Sequence, residues 1–548
     1  MILFGIIWFV RTVKAILFWT YLWQLKDYHV GRFLDHFQTE KGRSLIFNKL
    51  IVLKAGMLLF LGASLFLLFT DFPIPAESFI LSMGIGSGGG LFLLYILEAA
   101  RTTQDLVRKR LRLPVFTKKI LLLLGINTLV VIGIALLLFE FTLRVMDAIG
   151  DNIGISLLIF PTGLLLVDLF APIIVSATVL GFQPFAVLAR NRVIRQAREK
   201  RKKFKNLKVV GITGSYGKTS TKEFLAYILG QKFQVLKTPE HMNSEMGISQ
   251  TILRSLTDEH DIFVCEMGAY NKGGIKLLAS IAQPYIGIVT GVNEQHLATF
   301  GSMENLLSAE GGGELAEALP KEGVLFVNQN SRLRPDFGGQ AKIKVVAPEI
   351  PDVKVAKDHI SFEVERVSFR VPVYGGHNAQ NLLLAIAAAR ELGMRLEEIA
   401  KASELMPLEL SAMKVKKVQS GATVIDSTYS ANPDGVIADL EYLNLYEGKK
   451  VLVMPCLIEL GPAAKEAHKR IGQKIAEVCD LAIITTKEHF EDIKEGMYEV
   501  EPRTCEVMYM ENTQEILGKI GEANAILLEG GKESRLQLQL IALLLNND

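Results

Sequence analysis

The sequence is poor in cysteine and nearly balanced in charge, and both properties exclude classes of protein. It has four cysteines in 548 residues, and no two of them form a Cys-x-x-Cys pair, which argues against a zinc site or a disulfide framework. The formal net charge is only +2, so overall charge gives no indication of a nucleic-acid partner. We therefore expect free thiols and no bound nucleic acid.

Long apolar runs are concentrated in the first third of the chain. Four of them reach the roughly 20 residues that a helix needs to cross a bilayer core. These four runs lie at about 50–70, 78–98, 120–143 and 155–183. A further apolar segment at about 1–24 contains Arg11 and Lys14, and it is either a fifth span or a helix in the headgroup region. The sequence predicts an α-helical membrane domain of four or five helices at 1–188.

Basic residues predict the orientation of these helices. Arginine and lysine are dense at 99–119 and denser still at 189–208, whereas the loops at 71–77 and 144–154 carry aspartates and little positive charge. The positive-inside rule then places residues 190–548 in the cytoplasm of a multi-pass protein of the cell (inner) membrane. We interpret 189–208 as a basic juxtamembrane linker that contacts anionic membrane lipid rather than nucleic acid.

From residue 209 onward, apolar strand-like segments alternate with helix-like segments, which is typical of an α/β sheet covered by helices. Two sets of strands are predicted, at 209–212, 262–265, 286–290 and 324–327, and at 423–426, 451–454, 481–485 and 525–528. The segment at 343–374 alternates in Val, Ile and Phe, which predicts an antiparallel appendage. Because the pattern breaks near Pro407, we predict two α/β domains, at 209–406 and 407–548.

The strand at 209–212 leads into a Gly-x-x-Gly-Lys-Thr turn, which predicts a nucleotide-phosphate loop. Gly214 and Gly217 allow backbone N–H groups to curl around an anion. Lys218 adds a positive charge for the outer phosphates, and the Thr219 hydroxyl is placed to hold Mg²⁺. The residues predicted to bind nucleotide in this loop are Gly214, Ser215, Gly217, Lys218, Thr219 and Ser220.

Two further polar residues follow strands of the same predicted sheet. Glu266 comes at the carboxyl end of the strand at 262–265, where a carboxylate can hold Mg²⁺ opposite the loop hydroxyl. His296 follows the strand at 286–290 and comes to the same edge of the sheet. Taken alone, Glu266 would be read as a solvated cap and His296 as a hydrogen-bonded loop residue. Together with the phosphate loop, they indicate a metal-dependent nucleotide site.

These residues resemble the Mur ligases of peptidoglycan synthesis, which form amide bonds through an acyl phosphate made from ATP. The resemblance covers about 209–548. The blocks that carry it follow the family's order and lie at 213–219, 266–269, 293–297, 300–302, 377–381, 426–433 and 459–461, followed by His468. The Asp-x-Tyr-Asn-Ala-Asn-Pro block of the family's D-alanyl-D-alanine-adding branch is the most similar. The resemblance implies a P-loop central domain and a Rossmann-like C-terminal domain.

The resemblance also implies roles for residues around the phosphates. Lys218 would contact the β- and γ-phosphates of ATP, and Thr219 and Glu266 would hold a first Mg²⁺. His296 would help to hold a second Mg²⁺, which polarises the acyl phosphate. The predicted catalytic set consists of Lys218, His296 and Glu310.

Four residues further along the chain would bind the rest of the nucleotide. Asn378 and Asn381 would face the adenine, although a helix N-cap is an alternative role for Asn378. Asp426 and Tyr429 would come from the C-terminal domain as it closes over the nucleotide.

The sequence departs from the family pattern at several places. Where the family has a carbamylated lysine for the second metal, the alignment falls on Glu310 or Gly312, and Glu310 would supply the carboxylate. An arginine that contacts nucleotide in the family is missing from the segment at 411–413. Ser427 stands where the family has aspartate, so Asp426 comes one residue early. The predicted membrane domain also stands in place of the family's UDP-binding domain.

The predicted function is that of a membrane-anchored amide ligase that uses ATP and Mg²⁺. Its partners would be a muramyl-peptide-like or lipid-linked envelope precursor and an amino acid or dipeptide. One alternative is a catalytically impaired scaffold or regulator of envelope enzymes, and another is a poly-γ-glutamate-type synthetase. An ATP-driven transporter is disfavoured, because the sequence lacks the ABC signature Leu-Ser-Gly-Gly-Gln and because acidic residues such as Asp168 are sparse in the apolar runs.

Overall fold

The structure is a computed structural model of the chain. It describes residues 1–26, 28, 30–38, 40–69, 77–108, 111–149, 153–240, 242–328, 338–346, 352–410, 412–418, 421–429, 431–501, 505–531 and 535–545. The chain forms two compact units, Met1–Ala189 and Arg190–Asp548, which we call the helical unit and the α/β unit.

The helical unit contains the helices that the apolar runs predict. They are α1 (Ile2–Leu25), α2 (Val30–Asp35), α3 (Glu40–Ile46), α4 (Lys49–Phe69), α5 (Glu77–Val107), α6 (Lys118–Ile149) and α7 (Ile153–Lys203). By length and composition, four stretches of the described chain can cross a membrane: Ile2–Leu25, Gly42–Phe66, Lys118–Ala148 and Leu158–Lys203. The run predicted at 78–98 lies in α5, and the side chains of residues 78–85 lie outside the described residues. Residues 71–76 of the loop predicted at 71–77 also lie outside them. Most of the loop predicted at 144–154 is helical.

Two charged side chains are buried among these apolar helices, and two more are partly buried beside them. Lys54 of α4 and Asp168 of α7 are each 1% exposed as side chains, and their Nζ and Oδ2 atoms are 2.8 Å apart. Lys54 Nζ also lies 2.5 Å from Glu98 Oε2 of α5. Arg11 of α1 pairs with both carboxylates. Because two positive charges face two negative ones, the cost of burying each of them is compensated by its partners.

The basic residues of α1 connect this helix to α5. Arg11 Nε lies 3.4 Å from Glu98 Oε1, and Lys14 Nζ lies 2.9 Å from Asp105 Oδ2. The sequence left open whether the segment at 1–24 spans the membrane, because it contains Arg11 and Lys14. These two ion pairs compensate the charges of both residues. The helix therefore packs as a member of the helical unit.

The α/β unit begins on a parallel sheet. Its strands are β1 (Lys208–Thr213), β2 (Val235–Lys237), β3 (Ile262–Glu266), β4 (Ile286–Val289), β5 (Val324–Asn328) and β6 (Lys342–Val346), in the order β2-β3-β1-β4-β5-β6. The central strands are buried on both faces, which explains their continuous apolar runs. The helices of this part are α8 (Lys218–Gly230), α9 (Glu245–Ser255), α10 (Gly274–Ala282), α11 (Leu297–Phe300), α12 (Met303–Ala309), α13 (Gly313–Ala318), α14 (Asn378–Glu391) and α15 (Leu396–Glu404).

The antiparallel appendage predicted at 343–374 is present in part. Three strands, β7 (Lys354–Val355), β8 (Ile360–Val364) and β9 (Val367–Val371), form a small antiparallel sheet. The first part of the segment is different, because β6 pairs in parallel with β5 and forms the edge of the main sheet. Its alternating, partly exposed pattern is that of an edge strand, which the sequence did not distinguish from a hairpin.

A second sheet follows, with the order β10-β11-β15-β12-β13-β14. The strands are β10 (Lys414–Lys417), β11 (Thr423–Ser427), β12 (Lys450–Met454), β13 (Leu481–Ile484), β14 (Glu506–Tyr509) and β15 (Ala525–Glu529). The helices are α16 (Pro433–Leu443), α17 (Ala464–Val478), α18 (Phe490–Tyr498), α19 (Thr513–Ile520) and α20 (Arg535–Leu545). The four buried strands were predicted, whereas the edge strands β10 and β14 were not. Of the pairings in this sheet, only β10–β11 is antiparallel.

The basic segment predicted as a linker at 189–208 is helical as far as Lys203, where α7 ends. Ile194 and Ala197 are buried in the core of the α/β unit. Arg201 donates hydrogen bonds to the carbonyl oxygens of Ala282, Phe204 and Leu207. The segment therefore contributes packing to the α/β unit in addition to its positive charge.

Candidate nucleotide and ligation site

The phosphate loop between β1 and α8 requires both of its glycines. Gly214 has φ +140° and Gly217 has φ +80°, values that side chains of L-residues disfavour. A Cβ atom on Gly214 would lie 2.0 Å from Thr290 Oγ1, and one on Gly217 would lie 2.4 Å from Asn381 Oδ1. Any larger residue would therefore clash as well as strain the turn.

The polar side chains of the loop face Glu310, at the end of α12. Lys218 Nζ donates to the carbonyl oxygens of Gly214 and Ser215, and it lies 3.9 Å from Glu310 Oε1. The Ser215 hydroxyl donates to Glu310 Oε2 at 2.8 Å. Ser220 is half-buried in the first turn of α8. Two of the predicted loop residues, Ser215 and Lys218, are thus gathered around the Glu310 carboxylate.

Thr219 and Glu266, the predicted Mg²⁺ ligands, lie in contact. Thr219 Oγ1 is 3.1 Å from both carboxylate oxygens of Glu266. The sequence missed two further partners of this carboxylate: Asn243 Nδ2 donates to it at 3.0 Å, and Lys222 Nζ lies 3.3 Å away. Burial alone would lower the pKa of Lys222, but the charges of Glu266 and Glu223 outweigh it and raise the pKa.

These donors fit Mg²⁺. Hydroxyl and carboxylate oxygens are the hard ligands that this ion prefers, and it commonly takes its remaining ligands from substrate phosphates and water. In the part of the chain that the structure describes, no group of three His, Cys, Asp or Glu side chains converges on a metal position. A site formed by Thr219 and Glu266 would therefore depend on bound nucleotide for completion.

Glu310, rather than Gly312, presents a side chain to this site. His296 Nδ1 lies 3.1 Å from Glu310 Oε1. Burial alone would raise the pKa of Glu310, but the charges of His296 and Lys218 and the hydrogen bonds from His296 and Ser215 lower it overall. Glu310 is thus held ionised. Gly312 has φ +95° and precedes the short helix α13.

The two predicted adenine contacts are buried at the start of α14. Asn378 donates to the Tyr374 carbonyl oxygen at 2.7 Å, and Asn381 donates to Asn378 Oδ1 at 3.0 Å. The Thr221 hydroxyl of α8 lies 3.4 Å from Asn381 Oδ1. The N-cap of α14 is His377, so Asn378 is not the cap. Both amides fix α14 against its neighbours, and their contact with adenine stays a prediction.

Tyr429 reaches the phosphate loop from the second sheet. Its hydroxyl is hydrogen-bonded to Thr219, and burial raises its pKa. Asp426 at the end of β11 does not extend as far, because it accepts hydrogen bonds from the Thr428 N–H at 3.1 Å and hydroxyl at 2.7 Å. Asp426 therefore shapes the turn that leads to Tyr429, and its contact with nucleotide stays a prediction.

The loop that carries His296 contacts residues of the C-terminal domain, and the sequence did not predict these contacts. Asn293 donates to Asn432 Oδ1 at 2.8 Å, and Glu294 lies 3.6 Å from Arg470. The density of polar residues directly after β4 was the available signal. Their partners lie far along the chain, so spacing alone could not identify them.

His468, from the last block of the resemblance, has a structural place. Its Nε2 accepts the Leu457 N–H at 2.9 Å, its Nδ1 lies 2.6 Å from the Ala464 carbonyl oxygen, and its ring stacks on His489. Burial lowers the pKa of His468 to about 4. A neutral ring thus supports the turn that presents the 459–461 block.

Comparison with known families identifies this arrangement. The Mur ligase middle domain matches residues 212–389, and the Mur ligase glutamate ligase domain matches residues 413–530. Together the two matches cover more than half of the chain. The chain belongs to the Mur ligase family.

Individual relatives agree with this assignment. The UDP-N-acetylmuramoyl-tripeptide–D-alanyl-D-alanine ligase of Bacillus subtilis is 31% identical over 280 residues, which are 49% of this Mur ligase and 60% of the relative. The enzyme of the same name from Synechocystis is 34% identical over 273 residues, 49% and 59% of the two chains. This Mur ligase therefore spans about three fifths of the length of these curated relatives.

Solved structures share the fold. The crystal structure of MurF from Acinetobacter baumannii has a TM-score of 0.58 at 25% identity, and the match covers 64% of this Mur ligase and 80% of that chain. MurF from Thermotoga maritima, solved with ADP, has a TM-score of 0.55 at 23% identity, covering 65% and 84% of the two chains. The middle and C-terminal domains of this Mur ligase thus have the Mur ligase fold.

Proposed function

We propose that this Mur ligase is a membrane-anchored, ATP-dependent amide ligase that acts on a cell-envelope precursor. The observation that carries the proposal is the convergence of Lys218, Ser215 and Thr219 with two carboxylates, Glu266 and Glu310, at one edge of the first sheet. This edge lies beyond the carboxyl ends of parallel strands, where α/β proteins bind their ligands.

Each group has a physical task in the first half-reaction. Lys218 supplies positive charge for the phosphates, and the loop N–H groups orient them. Thr219 and Glu266 would hold Mg²⁺, which when bound would offset the negative charge of the nucleotide. Tyr429, which reaches Thr219, closes the C-terminal domain over the site and excludes water from the reaction.

The proposed reaction then has two steps. A carboxylate oxygen of the acceptor attacks the γ-phosphorus of ATP, the bond to the β-phosphate oxygen breaks, and ADP leaves. The product is an acyl phosphate, and the amine of an amino acid or dipeptide attacks its carbonyl carbon. Phosphate leaves with the electron pair of the broken C–O bond. Glu310 orients His296 beside this centre through the 3.1 Å contact at Nδ1.

The substrates are proposed from the relatives and from the helical unit. The curated relatives are named as ligases of UDP-N-acetylmuramoyl-tripeptide and D-alanyl-D-alanine, so these compounds are the first candidates. The four long apolar helices and the basic segment at 190–208 favour a cell-membrane protein with its Mur domains on the cytoplasmic side. Such attachment favours a lipid-linked form of the acceptor.

An acceptor-dependence assay tests the proposal. The full chain is purified in lipid nanodiscs and incubated with ATP, Mg²⁺ and D-alanyl-D-alanine, with UDP-N-acetylmuramoyl-tripeptide or its polyprenyl-linked counterpart as acceptor. We expect ADP and phosphate in equal amounts only when both acceptor and amine are present. ADP release that does not depend on any added carboxylate or amine would contradict the ligase function.

A nucleotide-binding scaffold is the second candidate, and one observation favours it. Glu310 places a negative charge 2.8 Å from Ser215 in the phosphate loop, where it opposes the charge of the γ-phosphate. A scaffold would bind ATP without turnover, and Glu310→Ala would leave that binding unchanged or strengthen it. A ligase would instead lose turnover in the same variant.

A further inference from the structure

His296 lies between two carboxylates that differ in burial. On one side its Nδ1 is 3.1 Å from Glu310 Oε1, and the Glu310 side chain is 2% exposed. On the other side its Nε2 is 4.0 Å from Oε2 of Glu459, whose side chain is 28% exposed. A separation of 4.0 Å is too long for a hydrogen bond, so the two side chains are neighbours without a direct hydrogen bond.

The backbone holds Glu459 at this position. Its φ of +67° lies in the left-handed region, which is uncommon for a residue other than glycine, and such strain clusters at functional sites. The Glu459 carbonyl oxygen accepts the Ala298 N–H at 3.1 Å, so the residue is tied to the loop that carries His296. A Cβ atom on Gly461 would lie 3.4 Å from the Ala298 nitrogen, which shows how closely the two loops approach.

The other carboxylates that the structure describes near His296 have different tasks. Glu310 is buried and contacts Ser215 and Lys218 of the phosphate loop. Glu294 lies 3.6 Å from Arg470 and joins the loop to α17. Glu459 combines partial exposure with proximity to His296, so a cation arriving from solvent can reach it at the edge of the site.

We propose that Glu459 binds the ammonium group of the incoming amino acid or dipeptide and orients it toward the acyl phosphate. The inference rests on the proposed ligase function. The amine of an amino acid or dipeptide reaches the site as an ammonium group, and a partly exposed carboxylate is a suitable hydrogen-bond acceptor for it. Because Glu459 belongs to the C-terminal domain, closure of that domain would bring the amine and the nucleotide together.

In the amine step the ammonium group, held by the Glu459 carboxylate, gives up one proton to water. The neutral nitrogen forms a bond to the acyl carbon, and the C–O bond to phosphate breaks. The phosphate leaves with that electron pair and carries away the second proton lost by the nitrogen.

Hydroxylamine provides the test, because it is a nucleophile that is uncharged at neutral pH and needs no ammonium site. Full-length wild type, Glu459→Gln, Glu459→Asp and the control Glu466→Gln are given ATP and Mg²⁺ with UDP-N-acetylmuramoyl-tripeptide and, in a separate series, with its polyprenyl-linked counterpart as acceptor. Each receives either D-alanyl-D-alanine or hydroxylamine, and amide or hydroxamate is measured. Glu466 is exposed on α17 of the same domain and receives the same chemical change as Glu459.

For Glu459→Gln we expect the KM for D-alanyl-D-alanine to rise at least about tenfold, from the loss of one charge-assisted hydrogen bond. The KM for ATP and the rate of hydroxamate formation stay at wild-type values. Glu459→Asp restores part of the affinity, and Glu466→Gln behaves like wild type.

Two results would overturn the inference while leaving the ligase function intact. One is a Glu459→Gln variant that loses amide and hydroxamate to the same extent, and the other is a variant that loses neither. A wild type that forms neither product would instead remove the proposed function itself, and the amine site with it.

Discussion

The two units of this chain both bury charged side chains, and they do so in opposite ways. In the helical unit, Arg11 and Lys54 face Glu98 and Asp168, and the charges of the four residues cancel. In the α/β unit, Lys218, Glu310 and His296 form a row that continues to the partly exposed Glu459. The first array is closed by its own members, whereas the second ends at solvent.

The difference teaches what each array is suited to do. A closed set of ion pairs leaves a buried charge uncompensated when one member is removed, so it bears on the stability of its unit. An open set, which here reaches the partly exposed Glu459, brings hydroxyl, ammonium and carboxylate groups to a place where a charged substrate can bind. We therefore expect substitutions in the first array to change stability, and substitutions in the second to change turnover.

The largest expected effect is on stability in the helical unit. Lys54→Met leaves Asp168 and Glu98 short of a buried cation and should lower the free energy of unfolding of this unit by about 3–5 kcal/mol. The three tryptophans of the chain, Trp8, Trp19 and Trp23, all lie in α1, so their fluorescence during detergent denaturation reports on this unit.

Two companion variants sharpen that experiment. Lys49→Met changes an exposed lysine of the same helix and should leave the transition unchanged. Adding Asp168→Asn to Lys54→Met should recover part of the loss, because it removes an uncompensated buried charge. A Lys54→Met protein as stable as the wild type would show that the cluster does not hold the helices together.

The next effect is on turnover in the α/β unit. Lys218→Met removes the charge that faces the phosphates and should slow ADP formation by about 100- to 1,000-fold, as the loss of one preorganised donor does elsewhere. Tryptophan-detected unfolding of the helical unit should not change. Lys276→Met serves as control, since Lys276 is exposed in an ion pair with Glu317. Unaltered turnover in Lys218→Met would refute a role for the loop in catalysis.

Glu310→Ala should have a smaller effect on turnover. Glu310 acts through His296 and the phosphate loop, and loss of such a supporting group costs about 10- to 100-fold in activity or metal affinity. Steady-state rates over a range of Mg²⁺ concentrations check this, with the exposed Glu322→Ala as control. Tighter ATP binding without any fall in turnover would place Glu310 outside the reaction.

The smallest effect concerns Glu529, a buried carboxyl group at the end of β15. Burial, followed by the nearby charges of Asp439 and Asp426, raises its pKa well above 4.5. The folded protein then holds a proton that the unfolded chain releases above about pH 4.5, so this group lowers stability as pH rises. Glu529→Gln does not titrate and should stabilise the α/β unit by on the order of 1 kcal/mol at pH 8.

The gain from Glu529→Gln should disappear toward pH 4.5, where both states of the wild type are protonated. Cys265, Cys456 and Cys479 are buried in the α/β unit, so the rate at which a thiol reagent labels these three residues reports its unfolding. The exposed Glu515→Gln is the control. A variant that gains equally at pH 5 and pH 8 would show that Glu529 is ionised in the folded protein.

Much of the fold was predictable because the relevant signals are local. The buried strands β1, β3, β4 and β5 are continuous apolar runs, and four stretches of the described chain have the length and composition to cross a membrane. Edge strands were harder, since β10 and β14 are partly polar and depend on a neighbour for their conformation.

The candidate site was predictable to a similar extent. The sequence predicted Lys218, Thr219 and Glu266 as site residues from strand ends and a glycine turn, and the structure places Thr219 in contact with Glu266. The sequence did not identify Asn243 or Lys222 as partners of Glu266, since neither residue belongs to a recognisable pattern.

By itself, then, the sequence determined the family, the phosphate loop and the apolar segments, because these depend on residues that are neighbours in the chain. Tertiary structure decided which distant groups meet. It brought Lys54 to Asp168 within the helical unit, brought Glu310 to one nitrogen of the His296 ring, and placed Glu459 near the other. Such contacts arise from the packing of separate helices and sheets, and hydropathy or spacing along one segment carries no record of them.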